Sequence, residues 1–354
     1  MRRPFDTLSR RGQIGRLRTL AREALRRYDV EVDRVSFAAQ AFNTVFRVDA
    51  SKGTSYALRV SPAIRIHADG CEALEAAWVT ALRRDAGFPT PAVVPSRDAS
   101  ADGWTQVDGV PEPRSCLLFE WVAGRPLREQ MSADLVREVG RLTAVVHDHA
   151  SADASFLSST SPANASADVS VPSSHSPENA SADAPSGALV ADRVLYFRAP
   201  NRLDELRPTY GSVLAEAVDR AQRALDALWR NPPHAPHLLH GDIQPGNVMV
   251  SRGHVALIDF QDLIWGFEIQ DVVIALQALD HFDAAEAFFE AFRAGYEEVR
   301  PWPDAEPEII GALNAARHLN VLNFGMSMGK PGLEPFIARH AEPVAEWMAR
   351  ATGR

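Results

Sequence analysis

The segment from His237 to Phe260 limits the possible folds of this chain more than any other part of its sequence. Pro245 and Gly246 prevent a regular helix directly after Asp242, so this aspartate is predicted to lie in a loop. Two short runs of apolar, mostly β-branched residues then flank a glycine-containing turn, which is typical of a β-hairpin. These runs are residues 248–250 and 255–258.

The predicted hairpin brings three polar residues together. Asn247 enters its first strand and Asp259 leaves its second, so the two side chains are expected to converge near the open end. Asp242 lies in the loop just before them. Carboxylate and amide oxygens suit Mg²⁺, which prefers hard oxygen ligands. A metal-bridged polyphosphate with a further acid nearby is the arrangement that phosphoryl transfer uses.

The first 120 residues alternate strand-like and helical patterns. An amphipathic helix over 12–28, read as a cap on the first lobe in preference to a membrane-surface helix, precedes three strand-like runs, a helix over 69–86 and a further strand pair. This order favours an α+β fold over a dinucleotide-binding βαβ pattern. The predicted strands are 35–37, 44–48, 55–60, 104–107 and 115–121.

After Gly124 the pattern becomes mainly helical, apart from the hairpin segment. Residues 151–187 differ, because they are dominated by Ser, Ala, Pro, Asp and Asn and contain no Lys or Arg, so a disordered surface insertion is predicted. The predicted helices are 132–149, with Ser132 as N-cap, 189–197, 209–230, 269–282, 284–299, 306–325 and 335–351.

The motif HGDxxxxN at His240–Asn247, followed by IDF at Ile258–Phe260, resembles the aminoglycoside phosphotransferase and choline kinase superfamily. The resemblance implies a bilobal protein-kinase-like fold, α+β, with a small antiparallel-sheet N-lobe and a larger, mainly helical C-lobe. It implies that Asp242 is the catalytic base, that Asn247 and Asp259 bind Mg²⁺, and that Asp271 braces the catalytic loop.

The same resemblance implies ATP-binding residues in the first lobe. Arg59 stands in the usual lysine place of the third strand, with a solvated strand arginine as the alternative, and Glu75 is favoured over Glu72 as its partner. The phosphate-covering loop at 38–44 contains no glycine, and Asn43 is its best candidate contact. Backbone groups of Glu120 and Val122 are expected to meet the adenine edge.

The resemblance implies a nucleotide-binding N-lobe over 1–121 and a C-lobe over 122–354 that holds the catalytic loop and substrate site, with 151–187 inserted in it. The expected activity is transfer of the ATP γ-phosphate to a hydroxyl of an amino alcohol, a sugar derivative, a homoserine-like metabolite or an antibiotic. A bacterial Ser/Thr protein kinase and a nucleotide-binding pseudokinase scaffold stay as alternatives. Acidic residues after 265 favour a cationic substrate, unless they are solvated helix faces: Glu268, Asp271, Asp280, Asp283 and Glu286.

Composition and residue spacing exclude several kinds of partner and site. A formal net charge of -9 argues against broad binding to nucleic-acid phosphates. Only two cysteines, far apart, predict no disulfide framework and favour a cytoplasmic protein. No apolar stretch reaches the length of a membrane span. His234 and His237 lie in a Pro-rich loop, and because no second cluster completes a set of ligands along the sequence, no zinc site is predicted.

Overall fold

The structure is a computed structural model that describes residues 3–98, 103–152, 183–329 and 332–351. The chain forms two compact units. The first comprises Met1–Arg65 and Glu72–Gly124, and the second comprises Ile66–Cys71 and Arg125–Arg354. Of the insertion predicted over 151–187, residues 153–182 lie outside the described part of the chain.

The first unit is built on an antiparallel five-stranded sheet in the order β1-β2-β3-β5-β4. The sheet confirms the five strand-like runs of the sequence: the third has the predicted bounds, the first two are longer, the fourth is shorter and the fifth is shifted by one residue. Its strands are β1 (Val32–Gln40), β2 (Thr44–Ala50), β3 (Ser55–Val60), β4 (Trp104–Thr105) and β5 (Arg114–Glu120), and its helices are α1 (Arg10–Leu25) and α2 (Cys71–Ala86).

Helix α1 covers one face of this sheet. Ser9 caps the helix, because its hydroxyl accepts a hydrogen bond from the Gly12 amide at 3.3 Å. The apolar stripe of α1 is buried with sheet residues such as Phe46 and Leu58. The stripe is therefore part of the core, as predicted for a cap, and is not available to a membrane surface. It consists of Leu17, Leu20, Ala21, Ala24 and Leu25.

The second unit combines long helices with two small sheets. One sheet has the order β10-β9-β6, and in the other β11 pairs parallel with β7 and antiparallel with β8. The helices are α3 (Ala133–Ala152), α4 (Arg207–Tyr210), α5 (Val213–Arg230), α6 (Glu268–Leu279), α7 (Ala285–Tyr296), α8 (Pro307–Ser327) and α9 (Glu334–Ala351). The strands are β6 (Arg125–Pro126), β7 (Leu189–Val190), β8 (His237–Leu239), β9 (Val248–Ser251), β10 (His254–Leu257) and β11 (Ile264–Gly266).

The predicted hairpin is present as β9 and β10. Val250 pairs with Val255 across it, and the two turn residues, Arg252 and Gly253, have φ angles of 51° and 81°. Positive φ at both central residues is the geometry of a type I′ turn, whose twist matches that of the strands it joins. The turn therefore fixes the register that places Asn247 next to the second strand.

Helices α3 and α7 cross at two glycines. A Cβ on Gly140 of α3 would lie 1.9 Å from the Phe292 carbonyl oxygen, and a Cβ on Gly295 of α7 would lie 1.8 Å from that of Arg137. Each glycine therefore lets the backbone of the other helix approach where no other residue fits. Ser132 caps α3 as predicted, since its hydroxyl accepts from the Leu135 amide at 3.3 Å.

The prediction of a helix over 189–197 is wrong. Leu189 and Val190 instead pair with β11, and the carbonyl oxygen of Ala191 accepts side-chain hydrogen bonds from Trp229 and Gln270. A short apolar run is compatible with both a strand and a helix, and here pairing with β11 stabilises the strand. No helix in the part of the chain that the structure describes is long and apolar enough to cross a membrane.

Candidate active site

The loop between β8 and β9 presents Asp242 in the second unit. Gly241 precedes it with a φ of 79°, and a Cβ at this position would lie 1.9 Å from the carbonyl oxygen of Asp262. Only glycine meets both conditions without strain. The Asp242 amide donates to Nδ1 of His240 at 3.2 Å, so the histidine supports the loop.

Both carboxylate oxygens of Asp242 are occupied by donors. Nη2 of Arg317, on α8, lies 2.5 Å from Oδ1. Oδ2 accepts from Nε2 of Gln244 at 2.9 Å and from Nδ2 of Asn247 at 2.7 Å. The side chain is only 15% exposed, so these contacts are screened little by water. Asp242 is consequently fixed in direction as well as in position.

Asn247 joins the loop to the hairpin. Its side-chain nitrogen, Nδ2, also donates to the backbone oxygen of Asp242 at 3.0 Å. Its backbone oxygen accepts a hydrogen bond from the Ile258 backbone amide at 2.9 Å. Ile258 immediately precedes Asp259, whose φ angle is 65°. The structure therefore brings Asp242 and Asn247 into contact and places Asp259 one residue beyond the backbone partner of Asn247. The Asn247 carbonyl oxygen is the side-chain atom that these bonds leave as a ligand.

A second carboxylate in this region belongs to Asp262. Its Oδ1 lies 2.6 Å from Nε2 of His67, and Nε2 of Gln261 lies 3.3 Å from the same histidine ring. Burial acts to raise the pKa of Asp262, but the bond from His67 and the charges of His67, Arg317 and His240 together lower it. Asp262 is therefore ionised at neutral pH.

The pKa of Asp242 moves in the opposite direction. Burial raises it; the charge of Arg317 opposes this rise and the charge of Asp262 adds to it. Two carboxylates whose environments separate their pKa values in this way are suited to different roles, and the one with the higher pKa is the better proton acceptor. Electrostatics thus favour Asp242 as the base.

The catalytic loop is braced from α6. The Asp271 carboxylate accepts the backbone amides of His240 at 2.9 Å and Gly241 at 2.8 Å, which is the position the resemblance implied. Nε2 of His147 lies 3.2 Å from the same carboxylate, and Nδ1 of His147 lies 2.9 Å from the Tyr296 hydroxyl. Burial opposes ionisation of Asp271, but His147 and the loop amides lower its pKa.

Several of these residues were not predicted as site residues, among them Arg317, Tyr196, His67 and Asp262. Arg317 is 75 positions from Asp242, and its Nη1 lies 3.2 Å from the Tyr196 hydroxyl. His67 is 195 positions from Asp262. No sequence motif marks His67, Tyr196 or Arg317. The one available signal was Asp262, which with Gln261 stands where the protein-kinase metal motif has its glycine.

In the first unit, Arg59 on β3 and Glu75 on α2 form the predicted ion pair. Nη1 of Arg59 donates to Oε1 of Glu75 at 2.8 Å, and Nη2 contacts Oε2. The side chains are 11% and 1% exposed, so the alternative of a solvated strand arginine is wrong. The arginine also lies over the Phe119 ring, with 5.1 Å between its Cζ atom and the ring centroid.

The other nucleotide candidates lie along the same sheet. Asn43 is buried in the turn before β2, and its backbone oxygen accepts from the Ala41 amide at 3.1 Å. Glu120 ends β5, where its amide donates to the Ala92 oxygen at 2.9 Å. Val122 follows β5 and is partly exposed. Their contact with a nucleotide stays a prediction.

We expect Arg59→Met to lower the free energy of unfolding by about 3–5 kcal/mol, because it leaves the Glu75 carboxylate buried without its partner. Arg34→Met is the matched control, since Arg34 pairs with Asp49 while 71% exposed, and its loss is expected to cost about 0–1 kcal/mol. Urea unfolding of both variants and the parent chain makes the comparison. Equal effects of the two substitutions would contradict a buried, interdependent pair.

Comparison with known proteins settles the family. The family model described as the phosphotransferase enzyme family matches residues 34–307. The chain belongs to the phosphotransferase enzyme family. A homoserine kinase of Gluconobacter oxydans (strain 621H) is 34% identical over 115 residues, which span 31% of this phosphotransferase and 35% of that protein. The match thus covers about a third of that curated relative.

Solved structures show the same fold over nearly the whole phosphotransferase. An amicoumacin kinase, in complex with AMP-PNP, Ca²⁺ and Ami, has a TM-score of 0.68 at 17% identity and covers 96% of each chain. A microcompartment-associated aminopropanol kinase has a TM-score of 0.65 at 24% identity, covering 95% of this chain and 98% of the other. The α+β kinase-like fold implied by the sequence is therefore confirmed.

Proposed function

We propose that this phosphotransferase moves the γ-phosphate of ATP to the hydroxyl of a small amino alcohol or hydroxy amino acid. The observation that carries the proposal is the environment of Asp242, a buried carboxylate held at both oxygens and kept more basic than the neighbouring Asp262. In this position Asp242 accepts the proton of the acceptor hydroxyl as the phosphorus–oxygen bond forms.

The residues beside Asp242 fit a divalent metal ion. The Asn247 side-chain nitrogen is committed to Asp242, which leaves its oxygen as a ligand. Asp259 follows Ile258, the backbone partner of Asn247, and would add a carboxylate oxygen. Such an all-oxygen set suits Mg²⁺, which keeps several waters and bridges phosphate oxygens. A bound Mg²⁺ neutralises phosphate charge during transfer. The AMP-PNP and Ca²⁺ of the amicoumacin kinase support a nucleotide with a divalent ion here.

The proposed class of phosphate acceptor is based on the substrates named in two similar proteins. Homoserine and aminopropanol both carry a hydroxyl and an amino group. The five acidic residues after 265 do not add support for a cationic substrate. Glu268 and Asp271 are buried and already bound within the unit. Asp280 and Asp283 are exposed in the turn between α6 and α7, and Glu286 is exposed on α7.

A substrate screen tests the proposal. The purified chain with ATP and Mg²⁺ is expected to phosphorylate homoserine, aminopropanol or both in a panel that also includes spectinomycin, with ADP release and product mass as readouts. Transfer to spectinomycin alone would refute the proposed class of acceptor. 2-Aminobutyrate, which is homoserine without its hydroxyl, is the matched control and should give no product. Transfer only to a generic protein would indicate a protein kinase, and nucleotide binding without transfer to any acceptor would indicate a scaffold. Either result refutes the proposal.

A further inference from the structure

Three metal-ligating side chains of the second unit converge outside the catalytic loop. His234 lies in the loop after α5, His237 begins β8, and Glu268 begins α6. One nitrogen of each histidine and one carboxylate oxygen all lie within 4.8 Å of one another. The two imidazole rings stack with 5.6 Å between their centroids and 29° between their planes, so both present an edge to the same carboxylate.

The ion pairs of this cluster leave a buried nitrogen of His237 without a hydrogen bond from or to the described residues. The His237 ring is 5% exposed, and its Nε2 lies 3.3 Å from Oε1 of Glu268 without hydrogen-bond geometry. A buried polar atom in that state destabilises the fold unless a ligand satisfies it.

We infer that His234, His237 and Glu268 form a zinc site. Two imidazole nitrogens and one carboxylate oxygen are a donor set that Zn²⁺ takes, with a water in the fourth position. Nε2 of His234 lies 2.5 Å from Oε2 of Glu268. The His234 side chain is 40% exposed, so a metal ion would enter the site from its side. A cation bound here would also satisfy the buried nitrogen of His237.

Arg300 completes the surroundings of the site. Its Nη2 donates to Oε1 of Glu268 at 2.6 Å, which orients the carboxylate and leaves Oε2 toward the histidines. Hydrogen bonds to the remote atom of a ligand are a regular feature of metal centres. The charge of Arg300 opposes a bound cation, so the affinity is expected to fall below that of a closed site with four protein ligands.

The position of the site gives it a structural role. His237 lies three residues before His240, and Glu268 lies three residues before Asp271, whose carboxylate holds the amides of His240 and Gly241. Zn²⁺ would therefore join the strand that leads into the catalytic loop to the helix that braces it. The inference does not depend on the acceptor or on phosphoryl transfer.

Metal titration of the full chain tests the site. After chelator treatment, Co²⁺ is expected to bind and give visible d–d absorption bands, which Zn²⁺ should abolish, and Zn²⁺ should raise Tm. His234→Ala removes only the exposed ligand, so it should fold normally and lose both effects. His254→Ala, at an exposed histidine of the β9–β10 turn, is the matched control and should keep them.

Two further variants make the result decisive. Glu268→Gln should also lose the bands, while Asp259→Asn should keep them, which separates this site from the proposed nucleotide metal. Absence of the bands in the parent chain overturns the inference. Bands that persist in His234→Ala, or that disappear in Asp259→Asn, overturn it as well.

Discussion

Asp242→Asn is expected to lower kcat by about 10²- to 10⁴-fold, the range that a lost general base typically produces. Asparagine keeps the shape of the side chain and an oxygen toward Arg317, but it cannot take the proton of the acceptor hydroxyl. Because Asp242 is proposed to act on the acceptor hydroxyl and not on ATP, the KM for ATP should stay close to that of the parent enzyme. Steady-state kinetics with an acceptor identified in the substrate screen provide the measurement.

Asp204→Asn is the matched control, since it makes the same chemical change at a carboxylate that is 76% exposed. It should leave kcat unaltered. Circular dichroism and Tm show whether Asp242→Asn is folded. A folded Asp242→Asn enzyme with nearly full kcat would exclude Asp242 as the base.

Arg317→Met is expected to have the second largest effect, through both stability and pH dependence. It leaves the Asp242 carboxylate largely buried beside Asp262 without its cation, a change that typically costs about 3–5 kcal/mol. Arg317 favours the ionised form of Asp242, so its removal raises the pKa of that carboxyl further. Since the base acts when ionised, the acidic limb of the pH–rate profile should move to higher pH.

The double variant Asp242→Asn/Arg317→Met separates the charge effect from packing. It removes both charges, so it should unfold at a higher urea concentration than Arg317→Met alone. If the two variants were equally unstable, the cost would come from packing. An acidic limb that does not move in Arg317→Met would contradict electrostatic control of Asp242.

The sequence predicted those parts of the site that depend on local structure. Asp242 and Asn247 are five positions apart and are joined by a loop and a hairpin whose turn chemistry can be read directly. Asp271 lies after this segment, on α6, and its role was implied by the resemblance. In the first unit, the strand and helix that carry Arg59 and Glu75 were local predictions, while their pairing was implied by the resemblance.

Contacts that tertiary packing alone creates were not predictable from one sequence. Arg317 reads as an ordinary polar residue of α8, yet folding brings it to Asp242 from 75 positions away. His67 reaches Asp262 from 195 positions away. The same limit applied to His234 and His237, because Glu268 completes their cluster from a different element. Local patterns fix elements, whereas pairing between distant elements depends on the whole core.

The glycine crossing of α3 and α7 has a consequence for which sequence changes the family can accept. Tyr296 directly follows Gly295, and His147 lies two turns after Gly140 on α3. The Tyr296 hydroxyl contacts His147, and His147 contacts Asp271, which in turn holds the amides of the catalytic loop. A larger residue at either glycine separates the helices and shifts the support of that loop. Variation at two positions remote from the chemistry is thereby limited by catalysis as well as by folding.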